Sequence, residues 1–125
     1  MQFDNSAPIW LQLVNECSRR IITGEWAPRS KMPGVRELGL EFGVNPNTMQ
    51  RALTELDRRG ITIPDRTVGR FVTDDVELIS QLRGELASAA ADDFARKARG
   101  LGLGFTDATD LVHERWQQQE GDEQA

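Results

Sequence analysis

At 125 residues, 38% of them hydrophobic and 28% charged, the chain has room for one modest core and an appendage, but not for a second full-sized ligand-binding domain. The single cysteine, Cys17, excludes an internal disulfide and a cysteine-cluster metal site, and no apolar run nears the roughly 20 residues that span a bilayer, so the expected address is the cytoplasm and no membrane partner is expected. The net charge of −5 hides an asymmetry: residues 1–73 carry ten Arg and Lys against eight Asp and Glu, residues 74–125 five against twelve, which suits a polyanion partner for the first part and another task for the second.

Met1 to Ala7 read as a loose lead-in, and Pro8 stands where a first helical turn tolerates proline. Trp10, Leu13, Val14, Cys17 and Ile21 recur at three- and four-residue intervals before Gly24, the pattern of a helix with one apolar stripe. Trp26 to Pro33 has no periodicity and reads as a connecting loop bearing Arg29 and Lys31. Val35, Leu38 and Phe42 mark a short second helix, with Gly34 as its N-cap and Glu37 positioned to complete half of a capping box.

Gly43 breaks that pattern and Asn45-Pro46 restarts it, because Asn is a preferred N-cap and Pro is pre-shaped for the first helical position. The third helix buries Met49, Ala52, Leu53 and Leu56 and stops at Gly60, behind Arg58 and Arg59. Ile61 to Ile63 and Gly69 to Thr73 alternate like strands around a turn, with Pro64 confined to an edge. Beyond Asp74, the stripe Val76, Ile79, Leu82, Leu86, Ala90 and Phe94 predicts a long acidic helix interrupted at Gly84. Gly100 to Gly104 form a turn, Thr106 can cap a last helix carrying Ala108, Leu111, Val112 and Trp116, and Gln117 to Ala125 read as a polar tail.

The predicted fold is mainly α with a small β-hairpin: a winged helix-turn-helix over residues 1–73, then a helical segment over 74–125 that pairs two copies. The expected pairing residues are Ile79, Leu82, Leu86, Phe94, Leu111 and Trp116.

Two helices joined by a glycine turn, the second opening on small polar residues, form the arrangement that places a helix in the major groove of DNA. Asn45, Asn47, Thr48, Gln50 and Arg51 occupy its first turns. Asn and Gln pair with adenine, Arg with guanine, and Thr hydrogen-bonds or touches a thymine methyl. The competing reading makes Asn45 only a cap and the others solvated helix positions. A hairpin carrying Arg66 and Arg70 favours DNA, because it sets cations against a neighbouring phosphate strand or the minor groove.

The run from Gly24-Glu25 through Lys31-Met32-Pro33-Gly34-Val35-Arg36-Glu37-Leu38, then Gly43-Val44-Asn45-Pro46-Asn47-Thr48-Met49-Gln50-Arg51-Ala52-Leu53, Gly60-Ile61 and Gly69-Arg70-Phe71-Val72, resembles the GntR family of bacterial regulators over about residues 8–73. The short extension is similar to that of the YtrA-type subfamily, whose two-helix tail dimerises. The resemblance implies that Arg36 contacts DNA from the start of the second helix, that Asn45, Asn47, Thr48 and Gln50, followed by Arg51, form the recognition helix, and that Gly69 lies near the wing tip. Two recognition helices related by a two-fold axis predict a palindromic operator, where a bound dimer occludes a promoter, so a dimeric repressor is expected and activation stays open. The resemblance further implies a transporter operon as a frequent target. Gly34 replaces the family's usual Ser, Thr67 and Arg70 depart from the usual wing residues, and Arg29 stands in place of a loop glycine.

The remaining chemistry-bearing residues point elsewhere. His113 has no cysteine or second histidine nearby, Cys17 falls on an apolar stripe, and Trp10, Trp26 and Trp116 suit core or dimer-interface packing better than the lining of a small-molecule pocket. No nucleophile–base pair, phosphate-cradling loop or carboxylate dyad can be argued, so neither an enzyme nor a cofactor is expected. The expected partners are double-stranded DNA and a second copy. An unidentified small-molecule effector stays open, with no site for one in the sequence, and the rival reading is a winged-helix protein-interaction module.

Overall fold

In the computed structural model, which describes residues 1–124, the apolar stripe of the first helix becomes α1 (Ile9–Ile22), burying Leu13, Val14, Cys17 and Ile21. The segment before it is tied down. The Gln12 side chain accepts from the Asp4 N–H at 3.2 Å and donates to the Asp4 and Ala7 carbonyls at 2.9 and 2.7 Å, while Phe3 packs on the core, so the expected loose lead-in is instead fastened to α1.

α2 (Val35–Phe42) starts at Gly34 with no side-chain cap, so Glu37 does not complete the expected box. It ends at Gly43, whose φ of +69° is the left-handed conformation that glycine adopts without a Cβ penalty. The chain then turns into α3 (Pro46–Arg58). This turn is tight: the Val44 N–H donates to the Gly39 carbonyl at 3.0 Å, and a Cβ on Gly39 would lie 3.1 Å from the Val44 oxygen.

β1 (Thr62–Asp65) and β2 (Gly69–Val72) pair antiparallel, with Thr62 opposite Val72 and Asp65 opposite Gly69. Pro64 lies on β1, which has β2 on one side only. The other side of β2 is taken by the loop after α1: Met32 N–H donates to Arg70 O at 2.8 Å, and Val72 N–H to Ser30 O at 2.9 Å. Residues 30–32 thus add a short third strand-like rung that the prolines on either side conceal in the sequence. Together α1, α2, α3 and the hairpin enclose one core of Leu13, Val14, Ile21, Leu38, Met49, Leu53, Leu56, Ile61 and Val72, each at most 2% exposed. Removal of such side chains from water is the main stabilising term, roughly 1.5–3 kcal/mol apiece.

α4 (Val76–Gly100) is capped by Asp75, whose carboxylate accepts from the Leu78 N–H at 3.1 Å, and it runs unbroken through Gly84. α5 (Phe105–Gln124) begins one residue before Thr106, which therefore is not its cap, and the expected polar tail is helical as far as Gln124. The chain divides into compact units at 1–86 and 87–125. The first turns of α4 belong to the first unit: Leu82 is buried in its core, Leu78 and Ile79 pack on it, and the Arg83 guanidinium donates to the Ile22 carbonyl at 3.1 Å at the end of α1.

Candidate nucleic-acid interface

The expected reading helix is held from behind and open in front. Met49, Ala52, Leu53 and Leu56 are fully buried on one face of α3, while Asn47, Gln50 and Arg51 are exposed on the other and Thr48 is half-buried. The Asn45 carboxamide oxygen accepts from the Thr48 N–H at 3.0 Å, so the capping role is real and leaves the amide nitrogen for other partners. The Gln50 amide donates to Thr54 Oγ1 at 3.2 Å, an exposed contact that a ligand can displace. The Arg51 guanidinium lies 4.6 Å above the Trp10 ring, so this exposed side chain rests against α1. The sequence reading assigns Trp10 only to packing; its use as a platform for Arg51 has no signal in residue spacing.

Internal pairing sorts the cations of residues 1–73. Arg19 and Arg20 pair with Glu16 and Glu25, and Arg20 also with Glu41; Arg58 and Arg59 pair with Glu55, and exposed Arg29 with Asp74. Arg20 in addition faces the rings of Trp26 and Phe42 at 5.3 and 4.7 Å, which fastens α1 to the following loop and to α2. Arg58 first and Arg59 second push the Glu55 carboxyl down to about 2. Among the described residues, exposed Lys31, Arg36, Arg51 and Arg66 have no ion-pair partner. Lys31, which the sequence assigns only to a loop, joins this set because its rung against β2 brings its chain to the wing: a Cβ on Gly69 would lie 3.4 Å from Lys31 Cε.

The wing gives Arg70 an internal partner. Arg70 does not extend freely toward a ligand: its Nε and Nη2 donate to the Asp57 carboxylate at 2.8 and 2.9 Å, and Thr62 Oγ1 donates to the same group at 2.6 Å. With both side chains under 20% exposed, this pair joins β2 to the far end of α3. Arg66, at the exposed turn, keeps its charge available. That turn is organised by Asp65, which accepts from the Thr67 hydroxyl and N–H at 2.8 and 2.9 Å and from the Val68 N–H at 3.2 Å; these bonds, the hydroxyl foremost, lower the Asp65 pKa. Gly69 follows at φ +128°.

The stripe expected to pair two copies divides. Leu82 is 7% exposed and buried in the first unit's core, and Ile79 is partly buried against it. Leu86 and Phe94 are half-buried, and Leu111 and Trp116 are 41% and 64% exposed. Leu101 and Phe105, absent from the expected set, are 80% and 84% exposed, and α5 buries no residue. Leu101 lies in the glycine-bounded turn and Phe105 opens α5 directly after it, so neither falls on a helical stripe that periodicity would reveal.

Cys17 is wholly buried, and burial pushes its thiol up to about 12. No cluster of three or more metal-ligating side chains occurs among the described residues, and no described helix is long and apolar enough to cross a membrane.

Comparison with known proteins agrees with this geometry. Residues 11–72 match the model of the bacterial regulatory proteins of the gntR family. The chain is 35% identical over 102 residues to YhcF, an HTH-type transcriptional regulator of Bacillus subtilis, covering 82% of this chain and 84% of that one. A solved GntR family transcriptional regulator from Listeria monocytogenes superposes with a TM-score of 0.81 at 33% identity, over 90% of this chain and 98% of that one. The DNA-binding domain of AraR, solved in complex with operator ORX1, superposes with a TM-score of 0.54 at 28% identity, over 58% of this chain and 93% of that one. With the family's helix-turn-helix and wing in place and similarity running through most of its length, the chain belongs to the GntR family of DNA-binding transcription regulators.

Proposed function

We propose that the protein is a sequence-specific repressor in which two copies each insert the start of α3 into the major groove of a palindromic operator. The observation that carries this reading is the polar opening of α3, exposed in front, buried behind and flanked by cations without ion-pair partners among the described residues. Asn47, Thr48 and Gln50 read base edges, with the Asn45 amide beside them; Arg36, Arg51, Arg66 and Lys31 hold phosphates. Gly69 lets the wing approach closely, and Arg70 acts through Asp57. A bound dimer blocks the promoter, and the YtrA-type resemblance suggests a transporter operon as the target.

Pairing through residues 87–124 is supported by how little this unit buries. Ala98 is its sole buried hydrophobic residue among those described, while Leu101, Phe105, Leu111, Val112 and Trp116 face solvent. So much exposed apolar surface on a short helical pair favours association. Open apolar hollows, one of about 510 Å³ lined by Ala95, Ala98, Leu103, Phe105 and Ala108, receive the second copy's side chains. The cytoplasm remains the expected address.

Selection of bound duplexes from a random pool by the purified protein tests this reading. Enrichment of a two-fold symmetric site, with affinity falling steeply as salt rises, supports it; no retention of duplex in dilute buffer overturns it and leaves the protein-interaction alternative. Sedimentation supplies the second arm, where Leu111→Asp combined with Trp116→Asp yields monomers if the proposed face is right.

A further inference from the structure

An apolar hollow opens beside the reading helix. It measures about 270 Å³ and is lined by Arg36, Gly39, Leu40, Val44 and Pro46. Leu40 is 85% exposed, an unusual position for a large aliphatic side chain, and it follows Arg36 by four residues, so both lie on one face of α2. Pro46 is the first residue of α3 and immediately precedes Asn47. The close approach of Val44 to Gly39 ties the α2–α3 turn down at this hollow. Leu40 is outside the buried cluster and the residues packed on it.

We infer that this hollow, with Leu40 and Pro46 as its walls, receives the C5-methyl group of a thymine in the operator. The inference rests on the DNA-binding reading above and adds a specificity element that hydrogen-bonding residues alone do not supply. Continuity identifies the occupant. The hollow adjoins the polar opening of α3, and its rim carries Arg36, an unpaired cation suited to a phosphate. A surface that is apolar within and cationic at the rim fits the major-groove edge of an A·T pair next to its backbone. Of the groups that base edges present in that groove, the thymine methyl is the apolar one. A docked polypeptide would also cover Leu40, but it would give Arg36 no phosphate.

The test uses the full-length protein and its selected operator, with each thymine in turn replaced by deoxyuridine, which removes only the methyl. One position in each half-site should lose affinity about fourfold, the value of one buried methyl group. Leu40→Ala, an exposed change to a better helix former, should lose a similar factor on the thymine operator and be indifferent to deoxyuridine at that same position. Wild-type protein that binds tightly yet ignores every replacement overturns the inference and leaves the proposed function standing. So does a Leu40→Ala variant that keeps the full deoxyuridine penalty. Failure of the wild-type protein to bind any duplex removes both.

Discussion

Arg70 and Asp57 form a two-point ion pair, at 2.8 and 2.9 Å, between the second wing strand and the last turn of the recognition helix. The pair ties β2 to α3, so Arg70 can act either as a strut for the wing or as a direct DNA contact. The distinction has a clear signature. Were Arg70 a direct phosphate ligand, neutralising nearby Asp57 would strengthen DNA binding by removing a repulsive charge. As a strut, Asp57→Asn weakens operator binding in parallel with Arg70→Ala, and the double variant is little worse than either single one. Urea unfolding should show a loss of about 1.5–3 kcal/mol for Arg70→Ala, the range for hydrogen bonds to charged partners.

Arg29 carries the one positive φ outside glycine among the described residues, +66°. Its guanidinium meets Asp74 at 2.8 Å, but the side chain is 82% exposed, so the pair contributes little. Arg29→Gly relieves the left-handed strain and should be at least as stable as the parent in thermal melts. Arg29→Val puts a β-branched residue in the same conformation and should cost about 1 kcal/mol or more relative to the parent.

Glu55 gives the protein an acid-sensitive element. Its carboxyl is depressed from 4.5 to about 2, chiefly by Arg58 and next by Arg59, so its contribution is fully present above about pH 4.5 and is lost as pH falls through the interval down to about 2. The melting temperature should decline across that window. Glu55→Gln should flatten the decline while leaving melting near neutral pH only slightly lowered, because the pairs lie at the surface.

Cys17 should be silent toward thiol reagents. With the thiol pushed up to about 12 inside the core, the nucleophilic thiolate is scarce at neutral pH and no reagent reaches it without opening of the fold. Labelling by a disulfide reagent should therefore follow the urea unfolding curve. Rapid labelling of the folded protein would contradict the buried position.

The helices and hairpin were legible because each follows a local rule. The stripe from Trp10 to Ile21, the left-handed Gly43 and the Asn45-Pro46 start all act over a few residues, and α3 follows that pattern in both its cap and its buried face. What was hidden depends on neighbours far apart in sequence. Arg70 finds Asp57 thirteen residues away, Arg51 settles on Trp10, and Leu82 turns into the core of the first unit instead of remaining on a continuous pairing stripe. Residues 30–32 join β2 through backbone groups alone, which side-chain pattern does not reveal. Among the candidate contacts, charge identified which side chains could meet phosphate, but only internal pairing separates the uncommitted Arg36 and Arg66 from the committed Arg58, Arg59 and Arg70.

Base-by-base binding of two variants probes whether the exposed face of α3 reads DNA. Against a panel of operators altered at one position each, Gln50→Ala should relax the preference at a single base step, at a cost of about 1–3 kcal/mol on the parent site, whereas Arg36→Ala should weaken all sequences alike and lessen the salt dependence. If both variants lose affinity equally at every position, or neither loses any, then α3 does not read DNA through this face.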